Sequence, residues 1–293
     1  MEGRFYLKFL KNGKCLELVT FQVAYSHVLC RSALSKSKLP ELDYSLNPYV
    51  GCEHGCLYCY SRSLLKNEDL IPKWGKFVWV KKNLVDRLRV EVRRRKKGVV
   101  GVGTVTDPYQ PIEAKLKLTQ NCLKLLTAYH FPVSIQTKSN LILRDLDLIK
   151  PQSFDVGVTL TTINEDLAEK LEPKASKPTA RIQVLEELRD KGVETWIFLG
   201  PIIPSINDDE KNIEEIVEVA RKNKCKILYD KLNLKKGVLE SLQPFLEKEN
   251  PKIVNFLPKI LSPWSTYWKE KSKMILRLCK EKNVECKPAF PYV

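Results

Sequence analysis

The chain predicts an α/β fold built on a parallel sheet, and three observations carry that reading. Six short apolar runs read as buried strands, at residues 44–46, 99–106, 132–137, 155–160, 193–199 and 225–232. Stretches with apolar residues at helical spacing lie between them, as at Leu84, Val85, Leu88 and Val92, or at Ile213, Ile216, Val217 and Ala220. The polar and sulfur-bearing strings fall where the strands end, at Cys52, Thr106, Thr137, Thr161, Gly200 and Asp230. Strand and helix alternating at this spacing build a parallel sheet through crossover connections. Sites in such folds gather at the C-terminal ends of the strands.

Residues 1–40 form an N-terminal extension in which short apolar runs (5–10 and 16–28) alternate with lysines, and 21–25 alternates like a strand. It holds Cys15 and Cys30, either buried inert thiols or a ligand or thiol donor. Residues 44–46 are a short first strand ending at a cysteine loop, and 57–65 supply a helical turn or two. The apolar stretch 74–80 packs that loop. Residues 81–97 are a helix whose outer side is covered by arginines. After the second strand comes a helix over 114–129, with Leu116, Leu123 and Leu126 inside. The third strand is followed by a short helix over 143–149, stopped by Pro151. After the fourth, a helix over 179–191 ends at Gly192, the residue type that closes helices in a left-handed conformation. A helix over 208–222 separates the fifth strand from the sixth. Residues 236–293 add an aromatic stretch (258–268) and a basic amphipathic helix (269–282), as a docking element or a cap over one mouth. Cys225, Cys279 and Cys286 offer a second metal centre only on weak spacing.

The most specific signal is Cys52-Glu53-His54-Gly55-Cys56-Leu57-Tyr58-Cys59. Three thiolates four and three residues apart converge on one side of a short loop, as soft metals and iron–sulfur clusters require. Structural zinc is closed by four ligands, usually in two pairs, and no second pair exists here. His54 lies inside the same loop and reaches one tetrahedral centre poorly. A disulfide framework suits a short secreted chain. Zinc and plain thiols stand as the alternatives to a cluster. Three protein ligands leave one iron of a cube open to a second molecule.

The C-x3-C-x2-C spacing, with Tyr58 before the last cysteine, resembles the radical S-adenosylmethionine (SAM) superfamily. The fuller string from Asn47-Pro48-Tyr49 to Tyr60 is similar to its spore photoproduct lyase-like branch. The same resemblance is carried, in order, by Thr106-Asp107-Pro108-Tyr109-Gln110-Pro111-Ile112-Glu113, Thr137-Lys138-Ser139, Arg144-Asp145, Glu172-Pro173 with Arg181, and Pro201-Ile202-Ile203-Pro204. It spans about residues 43–235.

The resemblance implies a partial TIM barrel of six β/α units over residues 41–235, between extensions 1–40 and 236–293. It implies a 4Fe-4S cluster on Cys52, Cys56 and Cys59, with SAM on the open iron. Reductive cleavage of SAM then yields a 5′-deoxyadenosyl radical that abstracts hydrogen from substrate. An electron donor of ferredoxin or flavodoxin type accompanies such chemistry. By the same resemblance Tyr58 packs near the adenine, Lys138 lies near the SAM carboxylate, and Thr106 places a small hydroxyl near SAM. Ser139 and Arg181 are polar contacts, and Pro201 stiffens a main chain that meets the adenine. The structural alternatives are core packing for Tyr58, an ion pair for Lys138, a pair with Glu172 for Arg181, and a plain rigid turn for Pro201. Tyr60 is the candidate catalytic residue, because the lyases use a tyrosine there in radical relay. Asp107, Tyr109 and Glu113 are candidates to face substrate.

Composition bounds the rest. No run of eighteen apolar residues appears, so no membrane span is expected. No signal pattern opens the chain, and nine cysteines, an odd number, imply a reducing cytoplasm. The net charge of +15 is concentrated in residues 1–40, 81–97 and 267–287, while the remainder is about neutral. A basic stripe is the footprint of a polyanion, or else a solvated helix surface. The leading reading is therefore a radical SAM enzyme with a nucleic-acid substrate. The alternatives are radical SAM modification of a peptide or small molecule, and a non-catalytic metal- or nucleic-acid-binding protein on the same fold.

One departure bears on the reaction. The lyases carry a hydrogen-donating cysteine at the end of the second strand, where this chain reads Gly103-Thr104-Val105-Thr106. A hydroxyl O–H is much stronger than a thiol S–H, so threonine does not donate hydrogen to a carbon radical in the same way. The reconstituted protein is expected not to reverse spore photoproduct cleanly; product analysis showing faithful reversal would contradict this.

Overall fold

The computed structural model describes residues 23–262 and 265–290. The sequence readings of Cys15 and of the runs before residue 23 fall outside them. Strands β1 (Ala24–Val28) and β2 (Ser35–Lys36) precede β3 (Tyr44–Leu46) and β4 (Tyr49–Val50). The cysteine loop follows, then β5 (Phe77–Lys81), α1 (Leu84–Arg94), β6 (Val100–Val102), α2 (Glu113–Leu116), α3 (Leu118–Ala128) and β7 (Val133–Thr137). Next come β8 (Phe154–Thr159), α4 (Glu165–Leu171), α5 (Pro178–Asp190), β9 (Glu194–Ile202), α6 (Glu210–Asn223) and β10 (Lys226–Lys231). The tail adds α7 (Val238–Glu249), α8 (Pro251–Val254), α9 (Leu257–Ile260), α10 (Tyr267–Glu281) and β11 (Cys286–Pro288).

The larger sheet runs β11-β10-β9-β8-β7-β6-β3-β2. Its six inner strands, β3 and β6 to β10, are parallel and in chain order, as six β/α units require. All six predicted strands are present. β2 adds to one edge antiparallel and β11 to the other parallel. The edges approach one another: Lys287 of β11 meets Glu41, just ahead of β3, at 2.9 Å. This is the α/β partial-barrel architecture that the sequence predicted.

Local chemistry accounts for the elements and for the departures. α6 begins at Asp209, whose carboxylate accepts from Asn212 N, a cap that contributes about 1 kcal/mol. Its stripe of Ile213, Ile216, Val217 and Ala220 is fully buried, at roughly 1.5–3 kcal/mol for each large side chain. β6 stops at Val102 because Gly103 turns at φ +95, where an added Cβ would lie 2.6 Å from Gln136 O. The helix expected over 114–129 is broken at Lys117, which sits at φ +51. The break lets the Glu113 carboxylate cap α3 by accepting from Thr119 N and Gln120 N. The helix expected over 143–149 is a tighter 3-10 turn over Asn140–Asp145, capped by Ser139 Oγ accepting from Leu141 N. α4 has no counterpart among the helices expected from the sequence; Asn164 starts it by accepting from Leu167 N.

A small second sheet, β1-β5-β4, holds the approach to the cysteine loop. The apolar 74–80 stretch thus supplies a strand, β5, which pairs Tyr49 with Val80. One core lies between the sheet and its helices. A second gathers Cys56, Tyr58, Leu171, Ile203 and Leu232 with Val238, Leu242, Phe245 and Leu246 of α7. The C-terminal tail therefore packs against the cysteine loop through α7, while α10 packs on α6 and leads into β11.

Candidate metal centre

The cysteine loop leaves β4 through Gly51, at φ +84, where a Cβ would fall 2.6 Å from Phe77 O. Only glycine fits this turn. Gly55, at φ +63, lies against Gly75: a Cβ on Gly75 would come within 2.8 Å of the Gly55 Cα. Cys52 and Cys56 are buried and Cys59 half-buried, and all three are free thiols. Arg62, itself 3% exposed, gathers the carbonyls on the inside of the loop. It donates to Cys56 O at 2.8 Å, Leu57 O at 3.1 Å and Cys59 O at 3.1 Å.

Buried polar groups fasten this loop to the strand ends. Glu53 N donates to Gln110 Oε1 at 2.9 Å, and the Glu53 carboxylate accepts from Ile112 N and Tyr25 OH. Thr106 Oγ1 donates to Gly51 O at 2.6 Å and accepts from Gln110 Nε2 at 3.0 Å. Asp107 accepts from Tyr109 N, Thr137 Oγ1 and Lys138 N at 2.7–2.9 Å. His54 Nδ1 lies 3.3 Å from Asp107 Oδ2, within ion-pair range though off the line of a hydrogen bond. Burial works to raise the Asp107 carboxyl, but His54 and these donors outweigh it and hold it at about 2.

A second carboxylate, Glu172, accepts from the Tyr58 hydroxyl and from Arg181 Nη2. Burial opposes its ionisation, yet Arg181 and Lys138 keep it below the usual carboxylate range. Burial, and then Glu172 beside it, pushes the Tyr58 phenol well up, so the phenol stays a donor. Arg181 is 1% exposed and also donates to Ser176 O at 2.6 Å and Thr159 O at 3.1 Å.

The structure thus brings most of the sequence-selected residues together and sorts what they do. Lys138 has its ammonium 5.8 Å from the centre of the Tyr58 ring, with no hydrogen bond or ion pair among the described residues. Burial works to lower its pKa, but Cys56, Glu172 and Asp107 prevail and raise it. Thr106 pins Gly51, Ser139 caps a turn, and Arg181 holds Glu172, so all three are engaged by protein atoms. Pro201 follows a cis peptide bond inside β9, and its carbonyl accepts from Asn207 Nδ2 at 3.1 Å. Tyr60 is 41% exposed and donates to Thr104 O at 3.0 Å, which sets it beside the Gly103–Thr106 stretch. Glu113 and Tyr109, candidates to face substrate, are fully buried, and Glu113 binds Tyr49, Arg144, Thr119 and Gln120 instead. Cys30 bonds Asn83, and Cys225 contacts Thr195 Oγ1 at 3.1 Å. Sequence reasoning missed Glu53, Arg62 and Gln110. Only the position of Arg62, three residues past the last cysteine, hinted at a loop-carbonyl ligand.

Burial raises the thiols: Cys56 to about 12, against the pull of Lys138, and Cys52 well above its ordinary value with Asp107 and Cys56 adding to it. A bound cation reverses that order by replacing the thiol protons. A zinc ion needs sulfur ligands about 2.3 Å away on several sides, whereas a cluster spreads its thiolates over the corners of a cube. The loop supplies three thiols, which leaves a structural zinc one protein ligand short and suits a cluster with one open iron.

The Radical SAM superfamily model matches residues 46–227. An uncharacterised protein of Methanocaldococcus jannaschii is 31% identical over 261 residues, covering 89% of this chain and 95% of that one. A radical SAM Nalpha-GlyT isomerase of Pseudomonas phage M6 is 26% identical over 57% of this chain and 35% of its own length. Among solved structures, a spore photoproduct lyase variant with bound AdoMet and dinucleoside spore photoproduct superposes with a TM-score of 0.65. That match has 14% identity and covers 92% of this chain and 82% of the lyase.

The packing of Gly55 on Gly75 yields a controlled comparison. Gly75→Ala is expected to displace the cysteine loop, cost roughly 1–3 kcal/mol, and lower the iron bound per chain. Gly192→Ala meets the same positive φ (+72) with nothing within 4 Å, so it should cost about 1 kcal/mol and leave iron binding intact. Equal iron content in both variants would contradict the role given to Gly75. Taken with the family match over residues 46–227, the loop, its anchors and the sheet place this chain in the radical SAM superfamily.

Proposed function

We propose that this chain is a radical SAM enzyme whose Cys52, Cys56 and Cys59 hold a 4Fe-4S cluster and whose mouth binds SAM. The observation that carries the proposal is a three-thiol loop, one ligand short of a cube, facing the unpartnered ammonium of Lys138. When bound, the cluster and SAM together supply a 5′-deoxyadenosyl radical for hydrogen abstraction. The chain's own residues hold and aim that pair. Lys138 offers a fixed positive charge to a carboxylate. Tyr58, held through Glu172 and Arg181, keeps its ring beneath that charge. Arg62, Thr106 and Glu53 keep the loop rigid, and the apolar packing of α7 excludes water from its inner side. Thr106, Ser139 and Arg181 act here by positioning these groups. Tyr60, at the mouth beside Thr104, is the residue we assign to substrate-side radical chemistry.

The proposed substrate class is nucleic acid, supported by the dinucleoside bound in the structurally similar lyase. One observation favours the second reading, a peptide or small molecule. Tyr44 OH donates to Lys96 O, and Lys97 reaches Tyr129 O, so the Arg93–Lys97 cations sit at the N-terminal ends of β3, β6 and β7. That is the end of the sheet opposite the cysteine loop. A polyanion touching both ends must be long.

Anaerobic reconstitution, dithionite reduction and measurement of 5′-deoxyadenosine test the proposal. Wild-type protein should form it and Cys56→Ala should not. Stimulation by DNA or RNA, with binding that weakens steeply as salt rises, supports the nucleic-acid reading. Weak, salt-insensitive binding supports the alternative. Absence of 5′-deoxyadenosine from an iron-loaded protein would leave a non-catalytic metal-binding protein.

A further inference from the structure

We propose that Cys279 and Cys286 are a reversible redox dithiol at the base of the sheet, which closes to a disulfide on reaction with a low-molecular-weight disulfide. The pair stands apart from the cysteine loop, and the proposal does not depend on the cluster.

The turn between α10 and β11 brings the two sulfurs together. α10 ends at Glu281, and Asn283, at φ +54, reverses the chain. Val284 N donates back to Cys279 O at 2.8 Å, and Glu285 O accepts from Ile227 N at 2.8 Å. The second bond seats Cys286 beside Ile227, near the N-terminal end of β10. The cysteine loop lies past the opposite ends of the strands. With the backbone fixed on both sides of the turn, the Cys279 thiol donates a hydrogen bond to the Cys286 sulfur.

Their surroundings make the two sulfurs unequal. Cys279 is 1% exposed and packed in the main core, whereas Cys286 is half-buried. The hydrogen bond from Cys279 favours the Cys286 thiolate and lowers its pKa, against burial and the adjacent Glu285. The same bond, and then burial, raises Cys279. Away from the cysteine loop, Cys30, Cys122 and Cys225 are pushed up instead, chiefly by burial. An accessible, acidified thiol beside a buried one is the arrangement of an attacking and a resolving cysteine.

The Cys286 thiolate attacks one sulfur of the small disulfide. That S–S bond breaks, a mixed disulfide forms on Cys286, and one small thiolate leaves. Cys279 gives its proton to solvent, attacks the Cys286 sulfur and expels the second small thiolate. The protein dithiol is oxidised by two electrons, and the small disulfide is reduced to two thiols. The bridge fastens the last turn of α10 to edge strand β11, whose Lys287 meets Glu41 ahead of β3.

The test incubates reconstituted full-length protein anaerobically with oxidised glutathione, alkylates the remaining thiols and maps tryptic peptides by mass spectrometry. Trypsin cuts between the pair at Lys280 and Lys282, so a bridge appears as two linked peptides. Wild type should give that linked species, reversed by dithiothreitol, about tenfold faster than any adduct at Cys225. Cys279→Ser should trap a glutathione adduct on Cys286, and Cys286→Ser should leave Cys279 free over the same time. Protein prepared without iron should form the same bridge, so failure of the cluster reading leaves this one standing. A lasting glutathione adduct on Cys286 of wild type, or both thiols recovered alkylated, would overturn the dithiol. An adduct forming on Cys279 of Cys286→Ser as fast as on Cys286 of Cys279→Ser would overturn the roles assigned to the two sulfurs.

Discussion

Two buried carboxylates govern the architecture of this site. Asp107 and Glu172 are both removed from water, where an unpaired charge costs several kcal/mol. Each is made tolerable by partners drawn from different parts of the chain. Asp107 joins His54 of the cysteine loop to Thr137 and Lys138 at the end of β7. Glu172 joins Tyr58 of the same loop to Arg181 of α5. Neither pairing forms unless the loop sits over the strand ends, so the penalty of burial becomes a constraint on where the thiols lie. A buried pair is weak evidence for net stability; here its consequence is position.

The rest of the fold serves that constraint. Parallel strands in chain order bring the ends of β6, β7, β8 and β9 to one side, which is where Thr106, Lys138, Thr161 and Pro201 arrive. The small sheet of β1, β4 and β5 fixes the entry to the loop, and the tail closes its inner face through α7. Glycine is required where backbones touch, at Gly51 and at Gly75 against Gly55. The electrostatics follow. Lys138 remains cationic beside thiols and carboxylates, and among the described residues its ammonium makes no hydrogen bond or ion pair.

Much of this was legible in the sequence because it rests on short-range pattern. The six strands follow from apolar runs, α6 from its stripe, and the cysteine loop from spacing alone. Roles were less legible where a side chain's partner is distant in sequence. Thr106 reads as a ligand contact, yet its partner Gly51, 55 residues away, takes it up internally, whereas Arg181 takes the alternative that the sequence offered, the pair with Glu172. Glu113 looked free to meet substrate because nothing local reveals that Arg144 and Tyr49 enclose it. Helix boundaries failed where side chains compete with the backbone ladder, as Glu113 does at Lys117 and Ser139 at its own turn. The direction of the basic segments was also hidden, since charge counts do not say at which end of a strand a residue lies.

The central claim is that the three-thiol loop holds a cluster with one iron left for SAM. Electron paramagnetic resonance of the anaerobically reconstituted, dithionite-reduced protein, recorded with and without SAM, tests it most directly. A single reduced-cluster signal is expected, with g values that move when SAM is added. A silent, iron-free protein, or one whose loop carries tetrahedral zinc, would contradict it.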